Sequence, residues 1–239
     1  QAIEAYEDYA QLVPDDRDAQ GTLTGLYRAT GRGAEALQKK EELLVQHPDD
    51  TSLMFELAIT YFDQGNFSKS LSMFNRLIEK EPDNLDALDK MAQAYLNLEQ
   101  YTRAVNIYKK ILDLDSNNID VICAVADVYR LQSNYTTARN WGRRAQRVSR
   151  SSGLAFITVG MVYQESAKNC SAEKGSFDFD DRLVYEMAYK EFQKGTRDPN
   201  YAERARRRMT GIESLLPTTE DRFMNTYTEP KNKCYSWIK

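Results

Sequence analysis

The sequence predicts an all-α protein, an α-solenoid of helix-turn-helix repeats closed by a C-terminal capping helix and a docked tail. The first observation is internal repetition, because residues 51–84 and 85–118 superimpose position by position. The second is composition, since 41% hydrophobic and 28% charged residues suit amphipathic helices that share a core. The third is the small number of helix breakers, 11 Gly and 6 Pro among 239 residues. This length accommodates about six or seven helical hairpins.

The two matching blocks share a pattern of large and small side chains. Helix A carries a bulky residue, then an aliphatic residue, an alanine and a tyrosine, which are Met54, Leu57, Ala58 and Tyr61 in the first block and Leu88, Met91, Ala92 and Tyr95 in the second. Helix B carries a small residue and an aromatic one, namely Ser70 and Phe74, then Ala104 and Tyr108. The alanine of helix A lets helix B cross closely, and the aromatic residue fills the space beside the crossing. This spacing resembles the tetratricopeptide repeat (TPR) family, and the resemblance implies a right-handed solenoid in which each repeat needs neighbours.

The same register divides the rest of the N-terminal part. Residues 1–16 are predicted to be the second helix of a truncated repeat, with helix-B positions at Ala2, Tyr6, Tyr9 and Pro14. Residues 17–50 form a repeat in which Lys40 replaces the usual aromatic residue, and 51–84 and 85–118 are the regular repeats. In the repeat at 119–152, Gly142 replaces the aromatic residue.

The C-terminal third departs from the regular pattern. The step from helix-A tyrosine to helix-B alanine is 9 residues from Tyr95 to Ala104 but 25 residues from Tyr163 to Ala188. The repeat at 153–199 therefore contains a 16-residue insertion near 167–181. A capping helix is predicted at 200–216 and a tail at 217–239, whose aromatic residues Tyr235 and Trp237 suggest self-docking on the body. The insertion, the TxEDRF segment and the terminal Trp-Ile resemble a group of uncharacterised bacterial TPR proteins, and this implies no known activity.

The sequence contains no arrangement that predicts catalysis. The single histidine, His47, precedes Pro48 at a predicted surface turn, and motifs for phosphate loops, nucleophile elbows or zinc proteases do not occur. The spacing of Asp178, Asp180 and Asp181 fits no calcium loop, so a polar loop or a helix cap is favoured there. We predict that the protein is not an enzyme and uses no cofactor and no metal.

A binding groove is the predicted functional surface. In the family that the repeats resemble, the second, fifth, ninth and twelfth positions of helix A face a concave groove. The resulting groove residues are Phe55, Ile59, Phe62, Asp86, Asp89, Gln93, Asp120, Asp127, Arg130, Ile157 and Met161. Helix A of the 51–84 repeat is therefore apolar on both sides, which indicates that something covers its phenylalanines.

Three interpretations of this apolar helix remain open. In the first, neighbouring helices A cover the phenylalanines or their exposure is simply tolerated. In the second, a partner peptide inserts an apolar side chain while the aspartates favour basic residues beside it. In the third, the tail lies in the groove and Trp237 is the plug at the 51–84 or the 153–199 repeat. The carboxylate clamp of chaperone-binding TPR domains is not indicated, because Gly21, Gly25 and Glu56 occupy its Lys and Asn positions.

The predicted partner is a protein or peptide rather than nucleic acid, since the net charge is −4 and the arginines on outer helix faces are usually solvated. An alternative is a structural subunit of a larger, envelope-associated assembly. It would use the convex face and the open N-terminal half-repeat, which could also support a homo-oligomer.

The compartment is left open between bacterial cytoplasm and periplasm, with a lean towards the envelope. No run of eighteen apolar residues occurs, so we expect no transmembrane segment in this sequence. Because Gln1 falls inside a repeat, we expect further natural sequence upstream. Cys170 and Cys234 lie outside the regular repeats, and in an oxidising compartment they could pair and fix the tail.

Overall fold

The computed structural model of the protein describes residues 2–13 and 16–238, so Pro14 of the predicted half-repeat lies outside the described residues. All regular secondary structure in this described part is helical, which confirms the predicted all-α class. The α-helices are α1 (Ala2–Leu12), α2 (Arg17–Ala29), α3 (Gly33–Gln46), α4 (Thr51–Asp63), α5 (Phe67–Lys80), α6 (Leu85–Asn97), α7 (Tyr101–Leu114), α8 (Ile119–Leu131), α9 (Tyr135–Val148), α10 (Gly153–Lys174), α11 (Phe179–Gly195), α12 (Ala202–Thr210) and α13 (Thr219–Met224). Two 3-10 helices cover Glu213–Leu215 and Lys233–Ile238.

The chain divides into two compact units, residues 1–98 and residues 99–239. The first unit contains α1 to α6, and the second contains α7 to α13 with both 3-10 helices. The division falls inside the predicted 85–118 repeat, so α6 and α7 belong to different units. Each unit is therefore described separately below.

Local sequence signals set the helix boundaries in both units. Asn66, Asn84, Asn118 and Asn134 each precede a helix and accept a hydrogen bond from a backbone N–H of its first turn. The turns that precede α3, α5, α7 and α9 share a left-handed residue, with φ of 74° at Gly31, 74° at Gly65, 56° at Glu99 and 57° at Ser133. Consecutive members of this set lie one repeat length apart, so the backbone repeats along with the sequence.

The helices pack through the small-to-large pairing that the repeat pattern predicts. In the first unit, Ala58 of α4 and Phe74 of α5 are both fully buried. In the second unit, a Cβ added at Gly160 of α10 would lie 2.4 Å from the ring of Phe192 of α11, which shows how closely these helices approach. At Gly142 of α9, an added Cβ would lie 2.6 Å from Val159. A residue of the next helix therefore takes the space that an aromatic residue of α9 would need.

The extra residues of the 153–199 repeat lengthen both of its helices. α10 has 22 residues, compared with 13 in α8, and α11 has 17, compared with 14 in α9. Gly175 ends α10 at a φ of 67°, and Asp178 begins α11 in a capping box with Asp181. The helix cap favoured for these aspartates is therefore present. The predicted capping segment at 200–216 is α-helical only as far as Thr210.

Candidate functional site

The first unit presents an apolar row along α4. Phe55, Ile59 and Phe62 are all half-buried, while the opposite side of α4 lies in the core. Phe55 meets the edge of Phe74 at a centroid distance of 6.1 Å, and Phe62 meets Phe67 at 5.3 Å. The row is thus fixed by packing beneath it and retains an accessible outer surface. We call Phe55, Ile59 and Phe62 the α4 row.

Helix α6 borders the α4 row with charged and polar side chains. The Lys90 ammonium lies 5.5 Å from the centre of the Phe62 ring, so a neighbouring helix A covers part of this phenylalanine. Gln93 donates a hydrogen bond of 2.6 Å to Asp89, and Lys90 donates to Gln93 at 3.5 Å. Three of the predicted groove residues of α4 and α6 are therefore tied together through Lys90, which the sequence pattern did not single out.

A depression of about 330 Å³ opens at the N-terminal ends of α4 and α6. Its lining includes Ser52, Phe55, Glu56 and Asp86. Asp86 is exposed, whereas Glu56 forms an ion pair with the buried Lys40 of α3. This arrangement offers a partner an apolar wall beside a carboxylate, and it is open enough to receive one side chain from outside.

In the second unit, the predicted groove residues have different surroundings. Asp120 is exposed, but Asp127 accepts a hydrogen bond of 2.9 Å from Arg130, whose guanidinium also lies 3.9 Å from Glu165. The negative charge of Asp127 is therefore neutralised by Arg130 of the same helix. Met161 is half-buried and packs against the core of this unit.

The prediction that Ile157 faces the groove needs correction, because its side chain is fully buried. A Cβ added at Gly195 would lie 3.4 Å from Ile157, so the end of α11 packs directly over this side of α10. A residue in this position contributes to the core and is not accessible to a partner. The residue pattern of α10 alone does not reveal this, since the burial of Ile157 depends on where the end of α11 packs.

Cys123 is also buried on the predicted groove side of α8. Burial raises the pKa of its thiol to about 12, although a hydrogen bond with Thr158 acts in the opposite direction. A thiol with this pKa is almost entirely protonated at neutral pH and is therefore a weak nucleophile. Within the described part of the chain, His, Cys, Asp and Glu side chains form no group of three that could hold a metal ion.

The C-terminal tail is docked on the lengthened α10–α11 hairpin. Cys234 forms a disulfide with Cys170 of α10, with a Cα–Cα distance of 6.1 Å. The Tyr235 hydroxyl donates a hydrogen bond to Asp181 of α11. The backbone N–H of Asn232 donates a hydrogen bond of 2.8 Å to the carboxylate of Asp180. Tyr235 is among the most completely buried side chains of the protein. The insertion therefore supplies the surface that holds the tail.

Trp237 fills an aromatic slot between α9 and α10. Its ring centre lies 5.6 Å from that of Tyr135 and 5.6 Å from that of Tyr163, with the Arg139 guanidinium 5.2 Å away. Arg139 also donates a hydrogen bond of 2.6 Å to the carbonyl oxygen of Ile238. These contacting residues are not among the predicted groove residues, so Trp237 is not a plug on the groove side of the 153–199 repeat.

Sequence reasoning identified the two tail aromatics but not the residues that receive them. Tyr163 occupies an ordinary core position of helix A, and Tyr135 and Arg139 lie on helix B, where outward-facing residues are expected. The sequence feature that could have located the docking surface is the pair of cysteines outside the regular repeats, because the structure joins them in a disulfide. That pair marks α10 as the partner of the tail.

Comparison with known proteins supports the repeat assignment. The tetratricopeptide repeat family model matches residues 31–94 and 61–126. No curated protein is significantly similar to the chain in sequence. None of the helices in residues 2–13 and 16–238 has both the length and the hydrophobicity that a bilayer crossing needs.

Several solved structures share the fold. A tetratricopeptide repeat protein from Parabacteroides merdae has 20% identity and a TM-score of 0.58, covering 90% of this chain and 90% of its own. MamA from Desulfovibrio magneticus RS-1 has 13% identity and a TM-score of 0.58, covering 80% and 97%. YrrB, described as a TPR protein with an unusual peptide-binding site, has 15% identity and a TM-score of 0.54, covering 86% and 99%. At these identities the likeness is one of fold.

Proposed function

We propose that this chain, which matches the tetratricopeptide repeat model over residues 31–94 and 61–126, is a non-catalytic scaffold that holds a partner protein or peptide on the α4 row. The fold supports this at a general level, since stacked helical hairpins create long surfaces suited to protein binding. The single observation that carries the proposal is the α4 row itself, an ordered, half-exposed set of apolar side chains beside exposed Asp86.

The proposed ligand is a segment with one large apolar side chain and basic neighbours. The apolar side chain would contact Phe55 and Phe62, from which a partner can remove water. Asp86 at the rim would attract Lys or Arg, and the first unit as a whole is acidic, with 9 Lys and Arg against 18 Asp and Glu in residues 1–98. The proposal is centred on α4 and α6 because Ile157 is buried and Asp127 is already paired.

A peptide library tests this choice of ligand. One set of peptides places a single Leu or Phe among Lys and Arg residues, and the matched set places it among Asp and Glu residues. Binding to the full chain is measured by fluorescence polarisation. We expect binding by the basic set, at least tenfold weaker binding after Phe62→Ser, and unchanged binding after Leu85→Ser, which alters an exposed leucine of α6.

Two results would count against the α4 row. Equal binding of the acidic and basic sets would remove the role of Asp86 in partner choice. Equal binding by Phe62→Ser and the parent protein would remove the row from the site, provided that circular dichroism shows both proteins to be equally helical.

A further inference from the structure

Helix α3 lacks two aromatic side chains that helices B of later repeats carry. The helices α5, α7 and α9 all begin with an aromatic residue, namely Phe67, Tyr101 and Tyr135. In α3 the same register position is Gly33. Further along the helix, Lys40 takes the position of Phe74 in α5 and Tyr108 in α7, which are both buried. Helix α3 therefore has neither of the two rings that α5 and α7 carry.

Both of these positions line a cavity of about 240 Å³ between α3 and the C-terminal end of α4. Its walls are mainly apolar and include Gly33, Ala36 and Lys40 of α3 with Thr60 and Asp63 of α4. Ala36 is buried, whereas Asp63 is exposed, so the cavity extends from the core to the surface. The cavity and the α4 row use different residues of α4. We call this space the α3–α4 cavity.

The lining favours an apolar ligand that presents a hydrogen-bond donor. Lys40 is buried, but its ammonium donates a hydrogen bond to Glu56 and so needs no anion from outside. The Thr60 hydroxyl donates a hydrogen bond of 2.8 Å to the carbonyl oxygen of Glu56, which leaves its own oxygen as an acceptor. Asp63 adds an exposed carboxylate at the mouth. An apolar ring with one N–H matches this combination of apolar wall and acceptor atoms.

The helix pair α9–α10 of the second unit shows what such a place accommodates. Tyr135 and Arg139 of α9 lie three repeat lengths after Gly33 and Leu37 of α3, which both line the α3–α4 cavity. The Trp237 ring centre lies 5.6 Å from that of Tyr135 and 5.2 Å from the Arg139 guanidinium. The positions of α9 that correspond to two lining residues of the cavity therefore hold a tryptophan side chain.

The helix pairs α3–α4 and α9–α10 also share a hydrogen-bonded contact. The Tyr61 hydroxyl of α4 donates a hydrogen bond to Glu41 of α3. At the equivalent positions of the second unit, Arg143 of α9 donates a hydrogen bond of 3.4 Å to the Tyr163 hydroxyl of α10. Tyr163 is also the residue on which the Trp237 ring stacks. The two places are therefore equivalent in packing as well as in sequence register.

We propose that the α3–α4 cavity binds the tryptophan side chain of a partner polypeptide. The indole ring lies against Ala36, Leu37 and the methylene stem of Lys40. Its N–H donates a hydrogen bond to Asp63 at the mouth. The volume is sufficient, since a cavity of about 150 Å³ holds benzene and this one has about 240 Å³. The site does not depend on the α4 row and goes beyond the function proposed for it.

Titration of the full chain with short peptides, followed by nuclear magnetic resonance, tests this ligand. Three matched peptides place Trp, Phe or Ala at the centre of one sequence of Gly and Ser, so the charge preference of the α4 row plays no part. We expect saturable binding of the Trp peptide, at least tenfold weaker binding of the Phe peptide and no binding of the Ala peptide. Equal binding of the three peptides, or no binding of the Trp peptide, overturns the proposal.

Two substitutions at Gly33 locate the binding within the cavity. Gly33→Phe restores the aromatic residue of the other helices B, and a Cβ at Gly33 meets no atom within 4 Å, so the protein should fold. Its ring takes up the cavity, and we expect at least tenfold weaker binding of the Trp peptide. Gly33→Ala is the matched control and should bind like the parent protein, because most of the volume stays open. Parent-like binding by a Gly33→Phe protein of equal helicity contradicts the proposal.

Substitutions in α4 separate this site from the α4 row. Asp63→Ala, at an exposed residue, should weaken the Trp peptide and leave the Phe peptide unchanged, because only indole has an N–H to donate. Phe62→Ser should leave binding of the Trp peptide unchanged. If Phe62→Ser abolishes that binding and Gly33→Phe does not, the tryptophan lies on the α4 row and the cavity is not its site.

A free indole compound is the other source of the same ring. N-acetyltryptophanamide alone is therefore titrated into the parent protein and into Gly33→Phe. We expect it to bind the parent protein more weakly than the Trp peptide does, because the peptide backbone adds contacts at the mouth of the cavity. Binding of N-acetyltryptophanamide without binding of the peptide would show that the cavity takes a small molecule, and would overturn the choice of a polypeptide partner.

Discussion

Breaking the Cys170–Cys234 disulfide should release the tail from the second unit. The perturbation is Cys170→Ser/Cys234→Ser, which removes the covalent link and leaves the Tyr235 and Trp237 contacts in place. The two cysteines are 64 residues apart in sequence. A cross-link of that span lowers the entropy of the unfolded chain by about 14 cal/mol/K in the loop-closure model, which is about 4 kcal/mol at 25 °C.

This magnitude is large enough to decide whether the tail stays docked. Burial of Tyr235 contributes roughly 1.5 to 3 kcal/mol. Ordering the backbone of each tail residue costs about 1 to 2 kcal/mol. Burial of one such side chain therefore offsets the ordering of only about one or two tail residues. A loss of about 4 kcal/mol corresponds to almost a thousandfold shift of the docking equilibrium.

Tryptophan fluorescence can follow the tail by itself. The chain has two tryptophans, and Trp141→Phe leaves Trp237 in its aromatic slot as the single reporter. In this background, we expect the disulfide-free protein to lose the Trp237 signal at a lower urea concentration than its parent, and before the helical signal is lost. Either single serine variant should match the double variant, because each breaks the same bond.

One result would refute this reasoning. If the Trp237 transition of the disulfide-free protein coincides with that of its parent, the disulfide adds nothing to docking and the non-covalent contacts suffice. Serine in place of Cys123 is avoided in this experiment, because Cys123 is buried and its replacement would alter the core.

Two other predictions concern the same unit. Burial, followed by the hydrogen bond to Asp181, raises the pKa of Tyr235 above its usual 10.0, so this tyrosine stabilises the docked tail below pH 10 and the contribution is lost as the pH rises beyond that value. Trp237 fluorescence across that range should show tail release, and Tyr235→Phe should remove most of the pH dependence; an identical dependence in both proteins would contradict the assignment. Gly160→Ala should destabilise the second unit by about 1 to 3 kcal/mol in urea unfolding, because its Cβ would overlap the Phe192 ring. Gly211→Ala in the same unit, whose Cβ would lie at ordinary contact distances of 3.5 and 3.6 Å from the carbonyl oxygens of Arg207 and Arg208, is the matched control, and equal effects of the two substitutions would argue against close packing at Gly160.

The repeat register predicted the helices well because it is a local property. Asparagines that precede helices, small residues at helix crossings and left-handed turn residues all act within a few positions of the chain. The cap at Asp178 is an example, since its capping box involves only Asp181, three residues away. Residues such as Ala58 and Phe74 could likewise be assigned to the core from their spacing alone.

The candidate site was less predictable because the accessibility of each predicted groove side chain depends on which residues of other helices pack against it. Ile157 has the spacing of a groove residue, yet the end of α11 packs over it. Phe62 is partly covered by Lys90, and no rule of spacing assigns a lysine to that position. The insertion interrupts the repeat pattern of the sequence. In the structure it lengthens α10 and α11 and so forms the surface on which the tail docks.

The sequence by itself determined the helical repeats, their register and the positions that must be buried, because these follow from short-range periodicity and helix capping. It also identified Cys170, Cys234, Tyr235 and Trp237 as residues that the repeat pattern does not explain. Only the tertiary structure decided that the tail lies between α9, α10 and α11, and which predicted groove residues are accessible. The physical reason is that such contacts join residues far apart in sequence, and their formation depends on the complementary shapes of surfaces that exist only after the helices have packed.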